Sequence, residues 1–248
     1  SGLLLTVIQK PTTANGGGVT TPSGWTLLAS KTASGGYGST LGADTGNTNA
    51  YTYFKDADGT ESGSLTVSLT DSDVAYGRIW RYESISGLWS ITATTGEDTT
   101  TGTSVSVTGD SDIGLAPGQA IFGIMAVPTD INAGANFTAN DFIASGVTFA
   151  GVNEYIEVTS GVGNDLGGFI VKGYVNTGVS SGAPTMIATS VSGTNAMGPG
   201  LIIRLASPIA ISSSDTGSFV DDGTQSESIV SKSESDTASL VVDTKELK

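Results

Sequence analysis

Apolar residues fall in short runs and alternations along this chain of 248 residues, with turn residues between them. The run at 3–9 predicts a buried strand, and the run at 121–127 predicts a further strand. The alternation of apolar and hydroxyl residues at 64–70 predicts a strand with one buried face. Further strands are predicted at 25–29, 51–55, 75–83, 88–93, 103–107, 147–149, 169–175, 185–189 and 201–205. One short helical turn is expected at 137–144, because the segment contains residues suited to an N-cap.

Three sequence landmarks occur twice in the same order, roughly 120 residues apart. They are Pro11-Thr12-Thr13 with Pro128-Thr129-Asp130, Gly24-Trp25-Thr26-Leu27 with Gly146-Val147-Thr148-Phe149, and Gly77 to Tyr82 with Gly200 to Leu205. The repetition predicts two related units at about 3–83 and 120–206, with an insert at 84–119. The many short strands favour an all-β fold, a jelly-roll-like β-sandwich from two related halves. Each half is expected to supply strands to both sheets of that sandwich.

The composition narrows the possible functions. Acidic residues number 24 against 10 basic ones, giving a formal net charge of −14, and nucleic-acid backbones repel a chain this acidic. The absence of Cys excludes disulfides, thiol chemistry and cysteine-based zinc sites. No apolar run approaches the roughly 20 residues that span a bilayer. We therefore expect neither nucleic acid nor membrane among the partners.

Motifs along residues 3–206 resemble a family of largely uncharacterised bacteriophage and prophage proteins. The motifs are Leu3-Leu4-Leu5 through Lys10-Pro11, Pro22-Ser23-Gly24-Trp25-Thr26-Leu27-Leu28, the Gly42–Asn49 string, the aromatic strand before Asp58–Gly63, Asn164–Gly167, and Gly198–Leu205. The resemblance implies a structural role in the virion, as a head decoration, fibre or tail-associated protein. The family carries no established catalytic residues, so the resemblance transfers none.

The segment 208–248 lies outside this resemblance and is acidic, rich in Ser and Thr, and poor in large apolar residues. Such a composition gains order only by packing on another surface. We predict an extended C-terminal arm that docks on a neighbouring subunit or a capsid surface. The expected contact residues are Ile229, Val230, Leu240, Val241 and Val242, with strand addition around 240–242 as the favoured mode. Truncation at Pro208 is expected to leave a folded sandwich that no longer assembles.

Conventional catalysis finds little support in the sequence. A nucleophilic triad needs a base, usually His, and the chain has no His. A glycosidase needs only two carboxylates, but the available acids are scattered and read more simply as solvated loop residues. These acids are Asp44, Glu61, Glu97, Asp98, Glu154, Glu157 and Asp165. We therefore expect a protein that is not an enzyme.

One acidic stretch raises the question of a metal site. Asp56, Asp58 and Glu61, with Gly59 between them, look like the opening of a calcium loop, in which alternate carboxylates wrap a hard cation. A complete loop needs further ligands, and here a strand is predicted from Ser64 onward. The alternative is a strand-connecting turn in which Asp and Gly serve the backbone. No other cofactor is indicated.

Aromatic residues leave two interpretations open. They are Trp25, Tyr37, Tyr51, Tyr53, Trp80, Tyr82 and Trp89. Such residues can form a sugar-stacking platform, but Trp25 and Trp80 lie on predicted strands and are expected in the core. Tyr37, in a Gly-rich loop, is expected to be exposed.

The resemblance and the composition together lead to one expectation and two alternatives. We expect a bacteriophage virion protein that decorates or cements a capsid, with other virion subunits as partners, a homo-oligomeric state and the virion as its location. The first alternative is a tail-fibre or adhesin module that binds host-surface glycans. The second is a secreted bacterial protein that acts on glycosides or belongs to a matrix.

Overall fold

The computed structural model describes residues 1–32, 42, 46–82, 90–100, 102–129, 137–160, 166–190, 197–206, 226–231 and 237–243. Within these ranges the chain forms sixteen β-strands and contains no helix. The predicted all-β fold is therefore confirmed.

The strands form two sets of six, each followed by a separate pair. The first half comprises β1 (Gly2–Pro11), β2 (Gly18–Val19), β3 (Thr26–Thr32), β4 (Asn49–Asp56), β5 (Ser64–Thr70) and β6 (Ser72–Tyr82), and the pair β7 (Ser90–Asp98) and β8 (Ser104–Thr108) follows it. The second half comprises β9 (Ala120–Val127), β10 (Phe137–Ile143), β11 (Val147–Ser160), β12 (Leu166–Gly178), β13 (Thr185–Ser190) and β14 (Gly198–Ala206). The last pair is β15 (Ser226–Ser231) and β16 (Thr237–Asp243).

The strands form four antiparallel sheets with matching orders in the two halves. The first half has a five-stranded sheet in the order β3-β4-β1-β6-β15 and a three-stranded sheet in the order β2-β5-β16. The second half has the orders β11-β12-β9-β14-β7 and β10-β13-β8. Each strand of the first half therefore has a counterpart at the same place in the second half, as a duplication of the unit requires.

Three hydrophobic cores separate the four sheets. One outer core lies between the two sheets of the first half and contains Leu5, Tyr53 and Leu69. The other lies between the two sheets of the second half and contains Met125 and Met186, among others. A central core joins side chains of the two five-stranded sheets, which therefore pack face to face. The molecule has four layers, with a three-stranded sheet on each outside.

The long apolar runs of the sequence become the middle strands of the two inner sheets. Along β1, Leu3 and Leu5 belong to the first outer core, whereas Leu4 and Ile8 belong to the central core. β9 divides its side chains between the second outer core and the central core in the same way. A strand that meets a core on each face needs apolar residues at successive positions, which is why alternation is absent there.

A repeated turn marks the duplication at atomic level. Gly24 and Gly146 have φ angles of 80° and 85°, a conformation that glycine adopts without steric cost. In the first turn the Trp25 amide donates to Pro22 O at 3.1 Å, and in the second the Val147 amide donates to Ala144 O at 3.5 Å. Each turn leads into the outer edge strand of a five-stranded sheet.

The structure corrects two details of the predicted fold. The halves do not share one sandwich, because each builds its own pair of sheets and the two sandwiches stack through the central core. The segment 137–143 is strand β10 and not a helical turn, because it pairs with β13 and places Phe142 in the second outer core. The observed strand order does not confirm a jelly-roll connection.

Candidate assembly site

The two strand pairs that follow the halves are exchanged between them. β7 and β8, here called the internal clasp, follow the first half but pair with β14 and β13 of the second. β15 and β16, the C-terminal clasp, follow the second half but pair with β6 and β5 of the first. In each sandwich the clasp adds one edge strand to the five-stranded sheet and one to the three-stranded sheet. The predicted insert at 84–119 thus supplies the strands that complete the second half.

Side chains and backbone lock the internal clasp in place. The buried Asp98 carboxylate accepts hydrogen bonds from the amides of Thr100, at 2.8 Å, and Ser106, at 2.7 Å, and so joins β7 to β8. Arg204 on β14 donates to Thr92 Oγ1 on β7 at 2.8 Å, directly across the register. The Thr108 and Thr185 hydroxyls lie 2.9 Å apart where β8 meets β13.

The chain after β8 is held against the same sandwich by an acidic side chain. The Asp112 carboxylate accepts a hydrogen bond from Ser180 Oγ at 2.6 Å and another from the Gly114 amide at 2.9 Å. These two bonds lower the pKa of Asp112. Arg204 also donates to Gly114 O at 2.9 Å, and burial lowers the pKa of this guanidinium. One carboxylate and one guanidinium thus fix the path from the internal clasp into β9.

Close packing between the strands of the internal clasp requires glycine. A Cβ atom at Gly96 on β7 would lie 2.1 Å from the backbone oxygen of Thr108 on β8, where no real Cβ fits. Gly200, opposite Gly96 in the register, leaves room for Val107 in the same way. In the first half the position opposite Gly77 is Ser228, so the C-terminal clasp carries a side chain there.

The register places unlike residues at equivalent positions of the two clasps. In the first half, Glu227 of β15 lies opposite Arg78 of β6. At the equivalent position of the second half, Thr95 of β7 lies opposite Leu201 of β14. The two rows across the sheets are Glu227-Arg78-Thr6-Thr52 and Thr95-Leu201-Ile124-Ile170. One row is polar and carries two opposite charges, whereas the other is almost wholly apolar.

Arg78 is a buried charge at the boundary between the halves. Only 1% of the residue is exposed, and its guanidinium carbon lies 4.5 Å from the centroid of the Trp80 ring. Trp80 and Tyr76, on the same face of β6, belong to the central core. A buried charge is costly unless an opposite charge and hydrogen bonds compensate it. The residue opposite Arg78 in the register is Glu227, an acidic residue.

Other polar groups tie the two halves directly. Lys10, fully buried at the end of β1, donates from Nζ to Pro128 O at 3.3 Å. The Thr48 hydroxyl donates to Ala126 O at 3.0 Å. Sequence reasoning did not find Lys10, Thr48 or Arg78, because nothing in a single sequence distinguishes a buried cation from a surface one. The signal available was the place of Lys10 at the end of a strand predicted to be buried and the place of Arg78 within another predicted strand.

The five predicted contact residues of the C-terminal arm lie on two short strands. Ile229 and Val230 are in β15, opposite Tyr76 and Ala75 of the same chain. Leu240, Val241 and Val242 are in β16, opposite Val67, Thr66 and Leu65. Strand addition around 240–242 therefore occurs, but the acceptor edge in this structure belongs to the chain's own first half. Docking of the arm on a neighbouring subunit remains a prediction, as does burial of the five side chains.

The predicted calcium ligands do not assemble into a cation site. Glu61 forms an ion pair of 3.0 Å with Lys55 and accepts hydrogen bonds from the amides of Asp58 and Gly59. The Asp58 carboxylate accepts from the hydroxyl and the amide of Thr60, which lowers its pKa. Throughout the described residues there is no group of three or more His, Cys, Asp or Glu that could hold a metal ion. The geometry around Asp56, Asp58 and Glu61 is that of a strand-connecting turn.

A cleft lies beside this turn. It encloses about 210 Å³ and is lined by Leu3, Ser23, Trp25, Lys55, Thr60, Glu61, Ser62, Ser64, Leu65 and Ile79. Trp25 is only 9% exposed and belongs to the first outer core, so little of its ring is open to the cleft. The cleft combines this largely buried tryptophan with several hydroxyls and an ion pair.

The remaining candidate residues divide between the core and the segments outside the described residues. Trp25, Tyr51, Tyr53 and Trp80 are buried, as the core interpretation predicted. Burial raises the pKa of the Tyr53 phenol, with a smaller contribution from Tyr51. Tyr37, Trp89, Asp44 and Asp165 lie outside the described residues, as do the side chains of Glu154 and Glu157. In the part of the chain that is described, no helix is long and apolar enough to cross a membrane.

No protein-family model matches the chain, and no curated protein matches it either.

Proposed function

We propose that the protein is a non-enzymatic structural protein of a bacteriophage particle, where it decorates or cements the capsid. The observation that carries the proposal is the exchange of clasps between the halves. Because each half is completed by the strand pair that follows the other half along the chain, the two halves are joined into one body. Such a body suits a protein that must remain intact on a particle surface.

Two further features support a surface role. The charge of −14 favours solubility and opposes non-specific binding to nucleic acid in a crowded lattice. Sheet edges are natural sites for pairing between chains, and the clasps cover one edge of every sheet while β2, β3, β10 and β11 form the other edges. Contacts with other virion subunits, or with further copies in a homo-oligomer, therefore have defined edges to use.

The test is the location of the protein after particle purification. Particles purified on a density gradient are expected to contain it in a fixed ratio to the major capsid subunit, measured by quantitative mass spectrometry. Tailless heads prepared in parallel distinguish a head decoration, which stays, from a tail component, which is lost. Absence of the protein from purified particles would overturn the proposal.

A glycan-binding fibre or adhesin module is the second candidate, and the cleft beside Trp25 favours it. A cleft lined by a tryptophan, hydroxyls and a carboxylate offers polar groups that can bind sugar hydroxyls. A glycan array probed with the full chain, and with Glu61→Gln and Ser62→Ala variants, tests it. Reproducible hits that both variants weaken support this function, whereas an array without hits removes it.

A further inference from the structure

Each clasp docks on a half other than the one that it follows along the chain. The internal clasp leaves the first half and completes the next half ahead of it. The C-terminal clasp leaves the second half and, in this structure, turns back to the first half of the same chain. If the C-terminal clasp also docked on the next half ahead of it, that half would be the first half of another copy of the chain.

The two connections differ in the reach that they allow. Residues 83–89 join β6 to the internal clasp, whereas residues 207–225 join β14 to the C-terminal clasp. An extended connection of the second length spans up to about 60 Å, at roughly 3.3 Å per residue. This is about the reach needed to leave one domain and meet the edge of a neighbour.

The register restricts which half can receive the C-terminal clasp. Docked on a second half, Glu227 would lie opposite Leu201 in an apolar row, where a carboxylate has no compensating charge. Docked on any first half, it lies opposite Arg78. The charge pair therefore directs the clasp to first halves, but does not distinguish the chain's own first half from that of another copy.

We propose that copies of this protein exchange their C-terminal clasps, so that β15 and β16 of one chain complete the first half of a second chain, with Glu227 opposite Arg78 as the residue pair that sets this specificity. Because it concerns two copies of the same chain, this proposal is independent of a virion role. The acceptor is the edge formed by β5 and β6, in the register seen within one chain. Exchange in one direction along successive copies produces a head-to-tail assembly, and mutual exchange produces a dimer.

Disulfide trapping between full-length chains tests the exchange. Ser68 on β5 lies opposite Ser239 on β16, and the chain has no native Cys. Ser68→Cys chains and Ser239→Cys chains, carrying tags of different mass, are refolded together and oxidised. A Ser68→Cys/Ser239→Cys disulfide between the two chains forms only when a clasp has crossed from one copy to the other.

The expected yield follows from the local concentration of the tethered clasp. Tethering within one chain gives an effective concentration on the order of 1 mM, so we expect about half of the chains to exchange at ~1 mM and a few per cent at ~0.05 mM. The out-of-register mixture of Ser64→Cys with Ser239→Cys is expected to give at least about tenfold less heterodimer, since the two positions are not opposite each other. A yield at 1 mM no higher than this control overturns the proposal.

Further variants make the result specific. Mixed Thr108→Cys and Thr185→Cys chains probe the internal clasp, which is expected to stay within its chain; an equal yield there would contradict the assignment of exchange to the C-terminal clasp.

Glu227→Arg in the donor is expected to lower the heterodimer yield at least about tenfold, and Arg78→Glu in the acceptor to restore most of it. An unchanged yield with Glu227→Arg would refute the charge pair. The Ser68→Cys, Ser239→Cys double variant must close its own disulfide when dilute, which checks the fold and the register.

Discussion

The two halves share a strand order, yet they differ where their clasps meet the boundary between the inner sheets. At this boundary the row across the first half contains Glu227, Arg78 and two threonines. The equivalent row across the second half contains Thr95, Leu201 and two isoleucines. At the positions where burial is described, every residue of the two rows is buried except Thr95, which is half-buried. The duplicated backbone therefore accommodates mainly polar side chains in the first half and mainly apolar side chains at the equivalent positions of the second.

This difference explains how two similar clasps find different halves. Backbone hydrogen bonding alone would let either clasp add to either edge, since strand addition is insensitive to most side chains. A buried charge adds discrimination, because the wrong pairing leaves a charge without its partner. The polar row therefore lowers the stability of the first half, and it directs the C-terminal clasp to that half.

The largest expected effect comes from removal of the C-terminal clasp. A chain ending at Ala206 loses the strands that cover β5 and β6 and is expected to lose on the order of 5 kcal/mol from the first half, a large share of the stability of a domain. Amide exchange should become fast in β5 and β6 and remain slow in β9 and β14. Uniform amide protection across both halves would contradict the exchange of clasps. A truncated chain whose first sandwich stays fully folded, as expected from the sequence, would contradict it too.

A second prediction transplants residues between the polar row of the first half and the apolar row of the second. Leu201→Arg buries a charge in the apolar row and is expected to lower the free energy of unfolding by about 4 kcal/mol or more. Adding Thr95→Glu should recover a large part of that loss, because it recreates the pair of the first half. The reverse transplant, Arg78→Leu with Glu227→Thr, is expected to stay within about 1 kcal/mol of the wild type.

Urea unfolding of the four single variants and the two double variants provides the measurement. The two transplants form double-mutant cycles, in which the coupling free energy reports the interaction across the register. Coupling below about 0.5 kcal/mol in both cycles would show that the opposed positions act independently.

A third prediction concerns a position at which the internal clasp has glycine and the C-terminal clasp has a side chain. Gly96→Ala on β7 places a Cβ against the Thr108 backbone and is expected to cost about 1–3 kcal/mol, because the neighbouring strand must shift. The matched change Ser228→Ala, at the equivalent position of β15, starts from a residue that already has a Cβ and is expected to cost less than about 0.5 kcal/mol. Equal melting-temperature shifts for the two variants would show that the clasps pack alike.

Sequence reasoning reached the strands and the repeat but not the layering or the exchange. Continuous apolar runs located β1 and β9, and the paired landmarks at Gly24 and Gly146 mark the same turn in both halves. β2 has only two residues and β10 was predicted as a helical turn, because both are defined by their partner strands more than by their own pattern. The partner of a clasp is a long-range choice that local patterns do not encode.

The charges show the same limit of local pattern. Arg78 and Glu227 lie 149 positions apart, and neither belongs to a recognisable motif. Glu61, which belongs to a suggestive acidic cluster, proved to be engaged by Lys55 and by its own turn. The residue types indicated which chemistry was possible at these positions, but the partners in the folded structure determine the role of each residue.

The smallest expected effect concerns the carboxylate that fixes the internal clasp to β9. Asp112 accepts hydrogen bonds from Ser180 and Gly114, and these hold its pKa below the unfolded value of about 3.9. A folded-state pKa below the unfolded one contributes stability above pH ~3.9, and that contribution is lost as the pH falls through the folded pKa. Asp112→Asn should therefore cost about 0.5–1 kcal/mol at pH 7, a modest value because the carboxylate is exposed to solvent.

The difference between wild type and Asp112→Asn should shrink as the pH falls from 5 towards 2, because protonation removes the same charge from the wild type. Ser180→Ala deletes the donor with the largest effect and should raise the pKa of Asp112 towards its ordinary value, which carbon-detected NMR titration of the carboxyl group can measure. A free-energy difference that stays constant across this pH range would mean that the Asn variant acts through packing and not through the carboxylate. In that case the path from β8 to β9 would depend on Arg204 and Gly114, whose 2.9 Å hydrogen bond does not involve Asp112.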